Sequence, residues 1–590
     1  MSELRVYPVI PGTAPQKSSN GVGITSPLRP QELPFTAEER SSVTILFGGL
    51  TWKHERLFEG LLAGAGYKCQ RLPETDRAAH ELAQEYCASG LCNPVYFTVG
   101  NLLQYLRRLQ DSGLSAAEIV KKYVYFTAAC GGPCRFGMYE AEFRTALSVT
   151  GFEGFRVLSF SQDHGIYAST GHTGLQFSAD FGWNTLHAFI LGDLLNAAHH
   201  RMKPFEIQAG AAERAIGKAA NAIAEHFHRN QGFELQDMVP GFLLPKTESR
   251  WYRYPNSVGK SWSHLFGCAL KAVLPSAAKD LKSVEVDWLR VKPVVKVIGE
   301  FWAQMTESDG NFRMLEFLEK EGAEVSIEPI GTWLLYMLDE RKARAIYRRG
   351  MARYSAPWTA PVRAIVARAS LFAKSLGFTL AARIYGRHFV RLARLLGLPD
   401  QSPTSQKVLS AMAAPYYNTF LRGGEGHLEV AKTLYYTRKK LCHLVLALKP
   451  FGCLPSIQSD AVQASLVERI PEISFLPIET SADGEIHAYS RVQMALAEAR
   501  AKAVSEFERA LESAHHSLED IRSFVATHRE LRQPLYQIPR RMGIVSTAAN
   551  FLLHVDHLMT AHTGETVAHS PRTVGALRAV ENTFQSNGER

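Results

Sequence analysis

Short runs of branched and aromatic residues, each followed by a stretch of helical period, recur along this chain and set what it can fold into. SVTILFGG (Ser42 to Gly49), YVYFTA (Tyr123 to Ala128) and FRVLSFS (Phe155 to Ser161) read as buried strands. Helices are expected at ERLFEGLLAGAG (Glu55 to Gly66), Arg77 to Tyr86, Val99 to Gln110 and Phe136 to Val149, with an extended piece at Tyr67 to Leu72. VKPVVKVIG (Val291 to Gly299), AEVSIEPI, LCHLVLALK (Leu441 to Lys449) and ISFLPIE (Ile473 to Glu479) repeat the pattern later in the chain. Strands alternating with helices give a parallel sheet, because parallel neighbours need a crossover connection. The expected fold class is α/β: two doubly wound parallel-sheet halves carrying helical insertions.

At 590 residues the chain has room for several domains, taking roughly 150 residues for each. Residues 1–40, rich in Pro, Gly and Ser, read as an extended or disordered arm. The first α/β half is expected over 41–180, a helical region over 181–290, and the second half over 291–335 and 436–530. A basic helical insertion, 336–435, interrupts it, and 531–590 forms a C-terminal segment. The helix expected at Ser490 opens with an S-x-x-Q capping box, Ser490 and Gln493.

No run approaches the ~18 apolar residues of a membrane span, and no apolar leader precedes the arm. No membrane association and a cytoplasmic location are therefore expected. The net charge of +9 is uneven: Arg341 to Pro399 holds thirteen Lys and Arg with no Asp or Glu, leaving −4 for the rest. The block Arg341 to Arg394 either docks an acidic partner or an anionic ligand, or simply covers the second half. Charge reversal at Arg348 and Arg349 separates these. No nucleic-acid motif accompanies the block, so nucleic acid is the least favoured partner.

Of eight cysteines, five fall between Cys69 and Cys134; the others are Cys268, Cys442 and Cys453. In FTAACGGPCRFG, Cys130 and Cys134 flank a Gly-Gly-Pro turn after a strand. Loops at the carboxyl ends of strands line the crevice of a doubly wound sheet. Cys453, in KPFGCLPS, occupies the matching loop of the second half, and Cys92, in GLCNP, precedes a helix of the first. Three segments can thus deliver thiolates to one cleft. Gly131 and Gly132 allow amide groups to approach sulfur, and Arg135 and the following helix N-terminus favour the thiolate. Spacing alone leaves open an iron–sulfur cluster, a zinc site or buried unligated thiols.

TAACGGPCRFGMYEAEFRTAL, GLCNPVYFTVGNLLQYL, VIGEFWAQMTESDGNFRMLEFLEKEGAEV and KPFGCLPSIQSDAVQASLVERIPEISFLPIET together resemble the 2-hydroxyacyl-CoA dehydratase superfamily, which includes benzoyl-CoA reductase subunits and double-cubane cluster proteins. The likeness spans about Val43 to Leu553 and is nearest to the dehydratase-like module associated with an ATP-dependent activase. It implies flavodoxin-like domains with a [4Fe–4S] or double-cubane iron–sulfur cluster in the cleft, on Cys92, Cys130, Cys134 and Cys453. It also implies an activase of actin/Hsp70-like fold that injects one low-potential electron, an acyl-CoA-type substrate, and assembly as a homo- or hetero-oligomer. In the dehydratase version that electron makes a ketyl radical. A double-cubane cluster needs further thiolates; Cys69 and Cys87 are near in sequence but are expected in a core or on a helix. The activase module is absent and the chain is one long piece, so substrate identity does not carry over.

The expectation is thus an iron–sulfur component of a reductase or dehydratase system, with a non-catalytic cluster carrier, a double-cubane-type reductase of small molecules or a structural zinc protein as alternatives. Glu300, in VIGEF, is the candidate acid–base residue, with helix capping or a salt bridge as its plainer role. SVGKS (Ser257 to Ser261) lacks the first glycine of a phosphate loop, since Tyr254 stands there. His199 and His200 point to different helix faces, as do the neighbours around His226 and His228. Asn93 and Pro94 are read as turn formers.

Overall fold

The computed structural model describes residues 32–130, 134–161, 174–175, 178–229, 249–266, 269–351, 361–399, 402–421 and 423–562. Two four-stranded sheets, each wholly parallel, carry the fold. The first contains β1 (Thr44–Phe47), β2 (Lys68–Arg71), β3 (Tyr123–Ala129) and β4 (Arg156–Ser161) in the order β2-β1-β3-β4. The second contains β5 (Val294–Gly299), β6 (Glu324–Ile327), β7 (Leu444–Pro450) and β8 (Phe475–Thr480) in the order β6-β5-β7-β8. The two orders are the same, and both are the doubly wound arrangement expected from the alternation.

Alternating side chains explain why the first sheet is covered on both faces. Ile45, Phe47 and Val124 join one core with Leu191, Leu194 and Leu195 of helix Ala179–Met202. Leu46, Tyr125 and Val157 join another with Val95, Val99 and Leu102 of helix Asn93–Asp111. In the second sheet β5 and β7 are buried along their whole length, the pattern of central parallel strands.

Polar contacts hold the halves together. Lys53 Nζ lies 2.5 Å from Glu307 Oε1, the Trp52 amide donates to Glu307 at 2.9 Å, and the Thr75 and Ser308 hydroxyls meet at 2.6 Å. Asp193 accepts from the amides of Ile330 and Gly331 at 2.7 and 2.9 Å, tying the helical region to the second half.

Several local expectations change. The helix expected at Ser490 starts earlier, spanning Glu485–Glu512, and Ser490 Oγ bonds back to Ile486 O inside it. Ser490 and Gln493 therefore form no cap; Gln493 bonds Glu321 instead, at 3.0 Å. True capping boxes lie at Ser115 with Glu118 and at Ser517 with Asp520. Helix Asn93–Asp111 begins six residues before the expected Val99, because Cys92 caps it and Pro94 suits its first turn. Asn93 and Pro94 are thus helical. The end of the N-terminal arm is pinned: Phe35 is fully buried and Glu39 pairs with Arg156 at 3.0 Å. SVGKS lies within helix Arg250–Phe266, where Lys260 pairs with Asp180 at 2.6 Å. Among the described residues no helix is long and apolar enough to cross a membrane.

Candidate functional site

Strand order reverses between β1 and β3 in the first sheet and between β5 and β7 in the second, so the crevices open at the carboxyl ends of these strands. Cys130 follows β3, Cys134 starts the short 3-10 helix Arg135–Met138, and Cys453 follows β7. Cys92 caps helix Asn93–Asp111 and Cys453 caps helix Leu454–Arg469; each helix has proline at its second position, Pro94 and Pro455. The repeated Cys-x-Pro is a sequence signal that motif reading passed over: proline fixes φ in the first turn, where its missing N–H costs nothing.

Glycines let these loops touch. The Asn93 amide donates to Phe451 O at 3.0 Å, bridging the halves beside two cysteines. A Cβ on Gly452, whose φ is +74°, would stand 3.4 Å from Cys92 Cα and 3.0 Å from Leu91 O. A Cβ on Gly424 would collide with the Pro455 ring and lie 3.6 Å from Cys134 Cβ. Cys130 lies near enough to Cys134 to help hold the proton on its thiol. Loops from three segments, bearing four thiols, therefore lie against one another at the carboxyl ends of the strands. Gly131 and Gly132, between Cys130 and Cys134, lie outside the described residues. Arg135 donates to Gly90 O, pinning the loop before Cys92.

The remaining cysteines stand apart. Cys69 sits on β2 opposite Ile45, its sulfur 3.6 Å from Glu59 O. Cys87 packs against the first-half core. Cys442 packs beside Ile298 and lines a cavity of about 600 Å³ with His443 and Glu506 at the amino end of β7. Cys268 lies outside the described residues.

Burial dominates the electrostatics. It pushes the Cys92 thiol up to about 12, against the opposing Tyr139 hydroxyl 2.9 Å away. Burial, then Glu300, raises Cys453, against a hydrogen bond from Ser456. Cys134 is raised first by neighbouring Cys130 and then by burial. Glu300 caps helix Phe301–Met305, accepting the Ala303 amide at 2.9 Å, yet burial lifts its carboxyl to about 7. Glu425 is held well above the ordinary range by burial and by Glu300. Its Oε2 has no hydrogen-bond partner.

Glu429, also buried, has a full set of polar partners. Its oxygens accept from Ser456 at 3.0 Å and Ser459 at 2.5 Å, and Lys449 stands 3.0 Å away. Lys449 also reaches Gln463 at 2.7 Å and pairs with Asp460. Sequence reading missed this pair, since a lysine ending an apolar strand looks solvent-exposed until the covering helices are placed.

Among the described residues no three His, Cys, Asp or Glu side chains are drawn together at metal-holding spacing. Cys92 instead meets the Tyr139 hydroxyl, at 2.9 Å. The chemistry of the donor set still fits a cationic centre: thiols and carboxyls share a buried region that holds their protons on, and a metal's charge would reverse that. His199 and His200 lie beside different carboxylates, Glu213 at 2.9 Å and Glu319 at 2.7 Å. No protein-family model matches the chain, and a search of curated proteins finds no similar one.

Proposed function

We propose that the chain is the iron–sulfur component of an ATP-dependent, low-potential reductase or dehydratase system, taking an electron from an activase and acting on an acyl-CoA-type substrate. One observation carries this reading: loops that bear thiols from three separated segments lie against one another at the carboxyl edges of two parallel sheets. Cys92, Cys130, Cys134 and Cys453 would hold a [4Fe–4S] or double-cubane cluster, which supplies one-electron, low-potential chemistry when bound.

The chain's own groups divide the remaining work. Tyr139 directs its hydroxyl to Cys92 Sγ, an outer contact of the kind that tunes a sulfur ligand. Burial of Cys92 and Cys453, at 6% and 7% exposure, keeps water from the sulfurs. Glu300, titrating near 7, can hold or release a proton close to neutral pH, as an acid–base group must. The same burial favours a second reading, a non-catalytic carrier that relays electrons without opening a ligand position to substrate.

Anaerobic purification with iron, sulfide and zinc analysis tests the proposal. Iron and sulfide in equal amounts support it, and stoichiometric zinc without sulfide ends it. Adding an acyl-CoA to the reduced protein while recording electron paramagnetic resonance separates catalyst from carrier: a changed signal marks substrate at the cluster.

A further inference from the structure

The basic block does more than cover the second half. In helix Pro361–Leu395, Phe372, Leu376 and Leu380 recur every four residues and are 64%, 58% and 55% exposed. The opposite side of this helix is already anchored, with Tyr385, Phe389 and Leu392 at 4%, 3% and 2% exposure. Arg383 and Arg387 continue the exposed stripe at helical spacing. Ile346 and Tyr347, on the packed neighbouring helix Ile330–Met351, are 56% and 63% exposed. The hairpin thus shows solvent an apolar stripe about 12 Å long that ends in arginines.

We propose that this stripe is the docking surface for the electron-donating ATPase, through a groove on that partner that is apolar along its floor and acidic at one end. The inference rests on the function proposed above for the partner's identity. Charge works against a second copy packed through the same block, since each chain would set thirteen cations against thirteen. A lipid surface fits poorly, because Arg383 and Arg387 lie on the same face that would enter the hydrocarbon. Polynucleotide has no use for three exposed apolar anchors. An acidic-ended groove answers both features, in the manner of helix-in-groove recognition. The buried side of the hairpin joins the thiol loops: Tyr336 donates to Gly424 O at 3.2 Å, and Gly424 abuts Cys134.

The test is anaerobic binding of the full, iron-loaded chain to a purified ATP-dependent activase across a salt series, followed by sedimentation. The side chains of Arg348 and Arg349 lie outside the described residues, so the variants are Phe372→Glu/Leu376→Glu and Arg383→Glu/Arg387→Glu, with Leu376→Ala as a milder probe. Both double variants should bind at least about tenfold more weakly, and the arginine variant should lose salt dependence. Iron, sulfide and circular dichroism should match wild type. Wild-type affinity in both double variants overturns the dock, as does iron-loaded wild type that ignores the activase but binds itself or anionic phosphatidylserine vesicles. Protein purified without iron and sulfide fails the parent reading, and the dock falls with it; metal analysis tells the two failures apart.

Discussion

The two halves share one strand order but bring different chemistry to the cleft. The first half supplies sulfur, with Cys92, Cys130 and Cys134 on two loops. The second supplies one thiol, Cys453, and the carboxyls Glu300, Glu425 and Glu429 with Lys449. Equivalent positions show how this arises. After β1, Glu55 accepts the Leu50 amide at 3.1 Å, and burial lifts it to about 8. After β5, Glu300 accepts the Ala303 amide, and burial lifts it to about 7. Both exits place a buried carboxyl at the start of a helix, yet only Glu300 lies among the thiols. A duplicated topology therefore fixes where a functional group can stand, while neighbouring loops decide what it does.

The largest expected effect breaks the sulfur side of this comparison. Cys134→Ser or Cys453→Ser should abolish stoichiometric iron and sulfide, whereas Cys69→Ser should leave both unchanged; elemental analysis of anaerobic protein decides. Iron retained by Cys453→Ser would confine the site to the first half.

On the carboxylate side, Glu429→Gln leaves the Lys449 ammonium buried with a weakened set of partners. Denaturant unfolding should show a loss of about 3–5 kcal/mol, while Glu472→Gln, at the protein surface, should stay within about 0.5 kcal/mol.

The paired carboxyls make a pH prediction. Glu55 has a folded pKa near 8 against a reference of 4.5, so the unfolded chain loses this proton first as pH rises. Its contribution should be flat below about 4.5 and fall by roughly 4–5 kcal/mol between there and pH 8. Glu55→Gln should flatten that part of the stability profile. A profile unchanged by the substitution would mean that Glu55 ionises normally and that the two exits are not alike.

The smallest effect separates a real cap from an apparent one. Ser517→Ala should cost about 1 kcal/mol, and Ser490→Ala, inside its helix, less than about 0.5 kcal/mol.

Much of the framework was legible in the residues. Continuous apolar runs such as VVKVIG and LVLALKP mark central parallel strands, and their alternation with helices leaves few ways to wind them. Cys130, Cys134 and Cys453 could be placed at strand exits for the same reason. Helix starts were less legible: Cys92 caps without a side-chain hydrogen bond, so Asn93 and Pro94 looked like a turn. Ser490 followed by Gln493 matched a cap signature inside a helix that Gly484 starts.

Local sequence by itself determined the two sheets, their helices and which loops carry thiols, because periodicity and strand length act over a few residues. Only the tertiary structure decided that Gly452 lies against Cys92, that Gly424 lies against Pro455 and Cys134, and that Glu429 and Lys449 share a buried polar pocket. Those contacts join residues tens to hundreds of positions apart. Their energies come from desolvation and close approach, which no short stretch of chain contains.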